Sequence, residues 1–374
     1  MESYEPMALR YRPQTIDQLI GQPTVAKSLR GMVSSQRITR TLLIHGPFGS
    51  GKTTTARLIA RYVNCEAREP SGDPCGVCAS CTTMADGNHP DVVELNAADA
   101  RGIDTIREII EHANFSPRHV YRCYILDEVH QLTPQAVQAM LKILEEPPSK
   151  TIFMLVTTEP GRLPFTIRSR CVQLKLMPVE PEVTAKHLGN ICTAEGIEGV
   201  DSEILLEIAR AVNGHPRDAL SALEQVIHHL DTLADKSQIK AMLPQVIEEV
   251  VGIPPEVQVM KYLISILRGR EGLALRMIRG IKNPDAFLHQ SIKLIQQVLF
   301  DSVSTTLSDQ YYRKFFDELD KKEVIASISV LAKLLELHMS SYEKAKTYVL
   351  EAEDLLILTA VKSTEIVKAH SSEL

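Results

Sequence analysis

The chain has 374 residues, of which 44% are hydrophobic and 24% are charged, and its formal net charge is −6. This length predicts two or three domains, and the apolar fraction excludes wholesale disorder. The negative charge argues against a generally polyanion-binding surface. The apolar runs are far shorter than the roughly 20 residues that span a bilayer, and the start of the chain lacks the apolar stretch of a secretory signal. We therefore expect a cytoplasmic protein with no membrane contact.

Positive charge is concentrated near the amino terminus. Residues 1–61 contain nine lysines and arginines but only three acidic residues, so this stretch has a formal charge of +6. The rest of the chain is correspondingly acidic. We expect any anionic ligand to bind in the first half of the chain.

Residues 41–177 alternate short, β-rich apolar runs with segments of helical pattern. The predicted strands are Thr41–Gly46, Asp91–Asn96, Arg122–Glu128, Thr151–Thr158 and Val172–Leu176. The predicted helices between them are Thr53–Asn64, Ile103–Ala113 and Pro134–Glu146. Strands that alternate with helices of this length predict an α/β domain with a five-stranded parallel sheet covered on both faces.

After residue 178 the strand patterns stop and the chain is predicted to be helical. The predicted helices are Val183–Glu195, Ser202–Val212, Arg217–Leu230 and Ser237–Leu243, followed by a break at Gly252–Pro255 and further apolar helical stripes. We predict three domains: an α/β domain over 1–178, a small helical domain over 179–243 and a helical bundle over 244–374.

A phosphate-binding loop is the most specific motif in the sequence. It has the pattern G-x-x-x-x-G-K-T and lies between an apolar strand and a helix. Its residues are Gly46, Pro47, Phe48, Gly49, Ser50, Gly51, Lys52 and Thr53, and the next residue, Thr54, is also predicted to bind the nucleotide. Glycines let backbone N–H groups turn inward around phosphate oxygens, and the helix start adds its positive dipole end. Lys52 is predicted to reach the β- and γ-phosphates and Thr53 to bind Mg²⁺. A chance glycine-rich turn is the alternative.

Two acidic residues end the third predicted strand. Asp127 suits the shell of Mg²⁺, and Glu128 suits the position that polarises an attacking water. Acidic residues at a strand end have no special meaning alone, but here they follow a phosphate loop in the same sheet. Thr157 and Thr158 end the next strand, where a hydroxyl either senses the γ-phosphate or only caps the strand.

Four of the seven cysteines form the pattern C-x₉-C-x₂-C-x₂-C, namely Cys65, Cys75, Cys78 and Cys81. Two overlapping C-x₂-C units suit tetrahedral thiolate coordination of Zn²⁺, and we predict a structural zinc knuckle over 65–81. Unliganded thiols and a redox or iron–sulfur role are the alternatives. The other cysteines, Cys123, Cys171 and Cys192, lie in apolar patterns and are predicted to be in or near the core.

Two arginines are candidates for completing a phosphoryl-transfer site. Arg170 lies in Ser169-Arg170-Cys171, and Arg217 lies at the start of a helix in the second predicted domain. Added positive charge against a γ-phosphate is worth roughly 10³–10⁵ in rate. Either residue is otherwise an ordinary surface arginine, and spacing alone does not show whose nucleotide it reaches.

The chain resembles the gamma/tau subunits of bacterial DNA polymerase III, the clamp-loader ATPases of the AAA+ superfamily. The resemblance lies in Leu9–Pro13, the phosphate loop, the cysteine knuckle, Glu94–Ala98, Asp127–His130, Leu141–Pro148, Thr157-Thr158, Ser169–Cys171 and Arg217–Leu220. The knuckle after the first helix of the α/β domain is the most discriminating feature. The loop has Pro47-Phe48 where the family often has Thr-Arg, which leaves the phosphate cradle intact.

The resemblance implies specific roles. It implies that ATP, Mg²⁺ and Zn²⁺ are bound, that Thr158 or Thr157 is the first sensor and Arg217 the second, and that Arg170 is an arginine finger for an adjacent subunit. Arg10, Pro13 and Gln22 would meet the adenine. The segment 179–243 would be a lid and 244–374 an oligomerisation collar.

The implied function is ATP-driven loading of a sliding clamp onto primer-template DNA. The implied partners are delta-like and delta-prime-like clamp-loader subunits, copies of this chain, the clamp and DNA, with Arg101, Thr105 and Arg107 as candidate DNA contacts. The chain stops at Leu374, so we expect the short gamma form, a truncated form or a lineage without the longer extension. The alternatives are another AAA+ DNA motor, such as a helicase, recombination motor or helicase loader, and a scaffold that binds nucleotide without turnover.

Overall fold

The structure is a computed structural model that describes residues 4–35, 37–68, 72–99, 101–212, 215–232, 256–279, 281, 283–303, 328–347 and 352–373. Internal contacts divide the chain into two compact units, Met1–Glu224 and Gln225–Leu374. The predicted helix Ser237–Leu243 and the predicted break at Gly252–Pro255 lie outside the described residues. The three predicted domain boundaries therefore stay a prediction.

The described part of the first unit contains one five-stranded parallel sheet. Its strands are β1 (Thr41–His45), β2 (Val92–Asn96), β3 (Arg122–Asp127), β4 (Thr151–Thr157) and β5 (Val172–Lys175). Their spatial order is β2-β3-β4-β1-β5. The predicted α/β fold class is confirmed, and each predicted strand agrees with the observed one to within one residue at either end.

Helices surround this sheet and follow it in the chain. They are α1 (Met7–Arg10), α2 (Pro23–Ser34), α3 (Lys52–Asn64), α4 (Ala79–Ala85), α5 (Ile103–Ala113), α6 (Pro134–Glu145), α7 (Phe165–Arg168), α8 (Pro181–Glu195), α9 (Ser202–Ala211) and α10 (Pro216–Thr232). The sequence analysis missed α1, α2, α4 and α7. Three of these have seven residues or fewer, too short for a helical apolar period to register.

The three central strands, β1, β3 and β4, are mainly apolar because they are buried on both faces. Every residue of β4 is buried, as are the central residues of β1 and β3. This is the composition expected when helices cover both sides of a parallel sheet. The buried thiols Cys123, Cys171 and Cys192 confirm that these cysteines belong to the interior.

The sheet register brings three strand ends together. His45 of β1 is paired with Thr157 of β4, and Leu126 of β3 is paired with Leu155 of β4. Asp127 and Thr157 therefore lie at the same carboxyl edge as the end of β1, where the phosphate loop begins. Open parallel sheets bind ligands at this edge.

The second unit is helical in its described residues. Its helices are α11 (Glu256–Leu267), α12 (Glu271–Ile278), α13 (Pro284–Val303), α14 (Ile328–Thr347) and α15 (Ala352–Glu373). Residues such as Leu263, Phe287, Leu334 and Leu356 form its buried core. Across the described residues of both units, no helix combines the length and the apolarity needed to cross a membrane.

Candidate functional site

The backbone of the phosphate loop lies so close to neighbouring residues that glycine is needed at several positions. Gly51 has φ +90° and is the N-cap of α3, a conformation that favours glycine. A Cβ placed on Gly46 would lie 2.5 Å from the carbonyl oxygen of Leu176. A Cβ on Gly49 would lie 2.9 Å from the Cβ of His215. The loop is therefore held between the end of β5 and the segment that leads into α10.

Lys52 is buried inside this loop, with 6% of its surface exposed. Its Nζ donates to the carbonyl oxygen of Pro47 at 2.9 Å. Burial lowers the pKa of Lys52, and the nearby negative charges of Glu128 and Asp127 oppose that shift. A buried ammonium that is hydrogen-bonded to a loop carbonyl is well placed to bind an anion.

Thr53 and Asp127 meet across the sheet edge. The Thr53 Oγ1 donates to Asp127 Oδ2 at 2.6 Å. The other oxygen, Oδ1, accepts the backbone N–H of Glu128 at 2.9 Å. A hydroxyl beside a carboxylate is the oxygen-rich donor set that Mg²⁺ prefers, so the residues present fit that ion.

Glu128 has an unusual backbone. Its φ is +50°, and among the described residues no other non-glycine has a positive φ. Its Oε2 accepts from the Thr158 hydroxyl at 3.1 Å and lies 3.2 Å from His130 Nδ1. Thr157 is fully buried, and its Oγ1 lies 3.0 Å from the same His130 nitrogen. Of the two threonines, Thr158 is thus the one that contacts Glu128.

His130 belongs to the stretch Asp127–His130 that carries the family resemblance, but the sequence predicted no role for it. It is nearly buried and lies between Glu128 and Glu159, whose Oε1 is 3.5 Å from His130 Nε2. The signal in the sequence was its place two residues after Glu128. This spacing alone does not predict a contact. The contact arises because the short turn after β3 directs the imidazole back toward the end of β4.

The two candidate arginines lie in different environments. Arg170 is ion-paired with Glu145 at the end of α6, at 2.9 Å, and its Nη1 donates to the Thr166 carbonyl at 2.9 Å. Arg217 is exposed in the first turn of α10, and no described carboxylate lies within ion-pair distance of it. The structure therefore leaves Arg170 facing a carboxylate of its own chain rather than residues of the phosphate site.

The predicted adenine contacts lie in the amino-terminal segment. Gln22 is buried, and its side-chain amide binds both backbone groups of Met177, at 2.6 Å and 3.0 Å. Arg10 is paired with Glu195 at 3.3 Å. Pro13 lies between them, partly exposed.

The candidate DNA contacts lie on and before α5. Arg107 is exposed and is paired with Asp104 at 3.4 Å, and Thr105 is partly exposed. Arg101 is exposed, and its Nε donates to the Ala98 carbonyl at 2.9 Å. Their exposure leaves both guanidinium groups accessible to a phosphate backbone.

The four knuckle cysteines converge. Their sulfur atoms all lie within 4.8 Å of one another, and the sulfurs of Cys65 and Cys75 are 3.7 Å apart. Tetrahedral zinc with bonds of about 2.3 Å needs sulfur separations of about 3.8 Å, so the cluster fits the ion. Burial alone raises the pKa of the Cys78 thiol, but hydrogen bonds from the backbone of Glu66 and Cys81 and from neighbouring thiols lower it to about 6.

A second cluster of potential ligands lies nearby but is internally satisfied. It consists of His89, Asp91 and His119. The buried Asp91 carboxylate accepts from the backbone N–H groups of Arg118 and His119 and from the Arg122 guanidinium. His89 accepts from the Asp91 N–H and contacts the Ser80 hydroxyl at 2.9 Å. These hydrogen bonds and the adjacent guanidinium make it a structural network.

Comparison with known proteins agrees with this geometry. Residues 21–180 match the family model described as "DNA polymerase III, delta subunit". The chain is 39% identical over 226 residues to DNA polymerase III subunit tau of Bacillus subtilis, covering 60% of this chain and 40% of that protein. It is 37% identical over 227 residues to DNA polymerase III subunit gamma of Buchnera aphidicola, covering 60% of this chain and 62% of that one.

The match also extends to an enterobacterial relative and to a solved fold. Identity to DNA polymerase III subunit tau of Escherichia coli K12 is 37% over 242 residues, covering 64% of this chain and 37% of that protein. The chain therefore spans less than two thirds of the length of these relatives. A RuvB mutant from Thermotoga maritima shares the fold, with a TM-score of 0.50 at 19% identity over 69% of this chain and 81% of that one. Over its matched amino-terminal part the chain is therefore similar to the gamma/tau subunits of bacterial DNA polymerase III.

Proposed function

We propose that the chain is the ATP-hydrolysing motor subunit of a clamp loader, which opens a sliding clamp and loads it onto primer-template DNA. One observation carries the proposal: the phosphate-loop hydroxyl of Thr53 lies 2.6 Å from Asp127, next to Glu128 at the same sheet edge. These are the parts that ATP hydrolysis needs at one place: a phosphate cradle, metal ligands and an acid beside them.

Binding would begin with an exchange of partners at Lys52. Its Nζ leaves the Pro47 carbonyl and donates to the β- and γ-phosphates, while the N–H groups of the loop and of the start of α3 bind the remaining phosphate oxygens. Thr53 and Asp127 would hold Mg²⁺, which neutralises charge on the phosphates. Thr54 lies in the first turn of α3, at the same end of the helix.

Glu128 would act as the base that orients and polarises the attacking water. Its Oε2 accepts a hydrogen bond from Thr158, which holds the carboxylate at the end of β4. Thr158 would thereby act as a sensor, since a γ-phosphate competes for its hydroxyl. Arg217 would approach the phosphates from the lid, and Arg170 would reach the nucleotide of an adjacent subunit once its pairing with Glu145 is released.

Zinc would hold the knuckle as a structural ion. The four thiolates leave no open position for substrate, which is the arrangement of a structural rather than a catalytic site. The knuckle begins where α3 ends, so it would stiffen the far end of the helix that starts at the phosphate loop.

The wider proposal concerns assembly. Delta-like and delta-prime-like subunits, together with copies of this chain, would form a spiral when ATP binds, and the spiral would grip the clamp and primed DNA in the cytoplasm. Arg101, Thr105 and Arg107 would contact the DNA backbone, an interaction that weakens with added salt. Hydrolysis would then release the clamp.

The test is Lys52→Ala in the reconstituted complex. We expect ATP turnover in the presence of clamp and primed DNA to fall at least ~10²-fold, because the variant loses a buried charge aimed at the phosphates. Lys27→Ala, an exposed lysine on α2, is the matched control and should retain activity.

Two outcomes would count against the proposal. Clamp loading at the parental rate by the Lys52→Ala complex would favour a scaffold role. Equal stimulation of ATPase by duplex DNA alone and by clamp plus primed DNA would favour another kind of DNA motor.

A further inference from the structure

The amino-terminal strap, defined here as residues 4–22, crosses the helices that follow the sheet. Near its start, two groups converge on one carboxylate oxygen of α10. The Tyr4 hydroxyl donates to Glu224 Oε1 at 2.6 Å, and the backbone N–H of Met7 donates to the same oxygen at 2.9 Å. The first turn of the strap is therefore fixed to α10 by a single glutamate.

A second glutamate fixes the middle of the strap to α8. The Tyr11 hydroxyl donates to Glu195 Oε1, and the Arg10 guanidinium lies 3.3 Å from the same oxygen. Glu195 is the last residue of α8, where the negative end of the helix dipole disfavours a carboxylate. A residue that breaks a local preference is explained by what it contacts, and here the contact is the strap.

The carboxyl end of the strap is connected to the phosphate loop through Leu176 and Met177. The Gln22 amide binds both backbone groups of Met177, and a Cβ on Gly21 would lie 2.7 Å from a methyl group of Val179. Leu176, next to Met177, is the residue against which Gly46 packs. Displacing the strap therefore disturbs the backbone that supports the loop.

We propose that Glu195 and Glu224 are positioning residues that fasten the strap across α8 and α10 and thereby set how tightly the site retains nucleotide. This inference rests on the proposed nucleotide binding. The two carboxylates together receive two tyrosine hydroxyls, one guanidinium and one backbone N–H. Charge-assisted hydrogen bonds of this kind are stronger than neutral ones. Their removal frees the first part of the strap, which contains Arg10, while Ile16 and Gln22 still hold its second part.

The experiment compares Glu195→Ala/Glu224→Ala with the parent chain. If the unfastened strap is in place about a tenth of the time, the apparent Kd for a fluorescent ATP analogue rises about tenfold. In the assembled complex the KM for ATP should rise by a similar factor while kcat stays within about twofold. Hydrogen exchange over residues 4–12 should accelerate even without nucleotide, because the Met7 amide loses its acceptor.

Matched variants separate positioning from general stability. Glu195→Gln/Glu224→Gln keeps the acceptor oxygens and should recover most of the affinity. Glu182→Ala removes a glutamate of α8 that lies 3.9 Å from Arg210 and does not contact the strap, so it should leave both affinity and exchange unchanged. If the double alanine variant does not fold, Tyr4→Phe/Tyr11→Phe removes only the two hydroxyls and should shift Kd and exchange in the same direction.

The outcomes also separate this inference from the proposed function. A parent chain that does not bind the analogue contradicts the proposed function, while the exchange measurement still tests the fastening of the strap. A parent chain that binds, together with alanine variants whose Kd stays within about twofold, overturns the positioning role.

Discussion

Glu128 shows at the scale of one residue how this chain departs from backbone preference at a chemically important position. A positive φ in a glutamate costs on the order of 1–3 kcal/mol, which surrounding structure must offset. Here the hydrogen bonds from Thr158 and the contact with His130 hold the side chain in place. The strain places the carboxylate at the edge of the sheet rather than along the path of β3.

The buried side chain of His338 should make the stability of the fold depend on pH. It is fully buried in α14, its Nδ1 donates to the Leu334 carbonyl at 2.8 Å, and its Nε2 has no partner among the described residues. Burial lowers the pKa of His338 to about 4. Between pH 6.5 and 4 the unfolded chain therefore binds a proton that the folded chain does not. The contribution of the uncharged His338 to the free energy of unfolding is fully present above pH 6.5. It is lost as the pH falls, by about 3 kcal/mol at pH 4.

This pH dependence is measured by urea unfolding monitored by circular dichroism at several pH values. Other groups also titrate, so the informative quantity is the difference between the parent chain and His338→Leu. The variant should show a shallower loss of stability over that range. Equal slopes in the two proteins would show that His338 does not titrate on unfolding.

At the scale of secondary structure, α3 joins two chemically distinct sites. It begins directly after Gly51 of the phosphate loop and ends directly before Cys65, the first knuckle cysteine. Tyr62, near its end, donates a hydrogen bond to Asp73 of the knuckle and accepts one from the backbone of Ile16 in the strap. The knuckle, the helix and the strap are therefore in direct contact.

Removing the zinc should affect the end of α3. The purified chain should contain about one equivalent of zinc, and Cys78→Ser should lose it because three thiolates bind the ion more weakly than four. Hydrogen exchange near Tyr62 should then accelerate. Cys192→Ser, at a buried thiol outside the knuckle, is the control and should retain the metal. A chain that contains no zinc when purified under metal-replete conditions would contradict the assignment.

At the scale of the whole molecule, the role proposed for Arg170 requires assembly. The arginine pairs with Glu145 of its own chain, and its carbonyl accepts from Thr41 at the start of β1, whereas the phosphate loop follows the end of that strand. A site that takes its arginine from a neighbour hydrolyses ATP only when chains are adjacent. The active unit is then an interface, and interfaces of this head-to-tail kind generate rings or spirals.

Mixing two inactive variants tests this directly. Arg170→Ala chains keep Lys52, and Lys52→Ala chains keep Arg170, so an equal mixture that pairs at random restores about a quarter of the complete sites. Arg170→Ala alone should lose ATPase activity by roughly 10³-fold or more, and Lys52→Ala alone by at least ~10²-fold. The measurement is ATP turnover of the mixture against each single variant. A mixture no more active than its components would contradict an arginine supplied by a neighbour.

Local patterns in the chain were enough to predict the strands, the phosphate loop and the knuckle. Periodicity and turn residues predicted the five strands, and the eight-residue loop motif predicted the phosphate site, because both depend on residues close together in the chain. The spacing of the knuckle cysteines likewise predicted their convergence. The family resemblance, found from these motifs, was confirmed by comparison with known proteins.

The contacts between distant groups became visible only in the folded chain. It showed that Thr158 rather than Thr157 contacts Glu128, and that His130 joins them, because side-chain direction at a strand end depends on the register with β1 and β3. It also showed that Glu195 and Glu224, separated from the strap by about half the chain, receive its hydrogen bonds. Contacts between residues so far apart leave no periodic or motif signal, since folding alone brings them together.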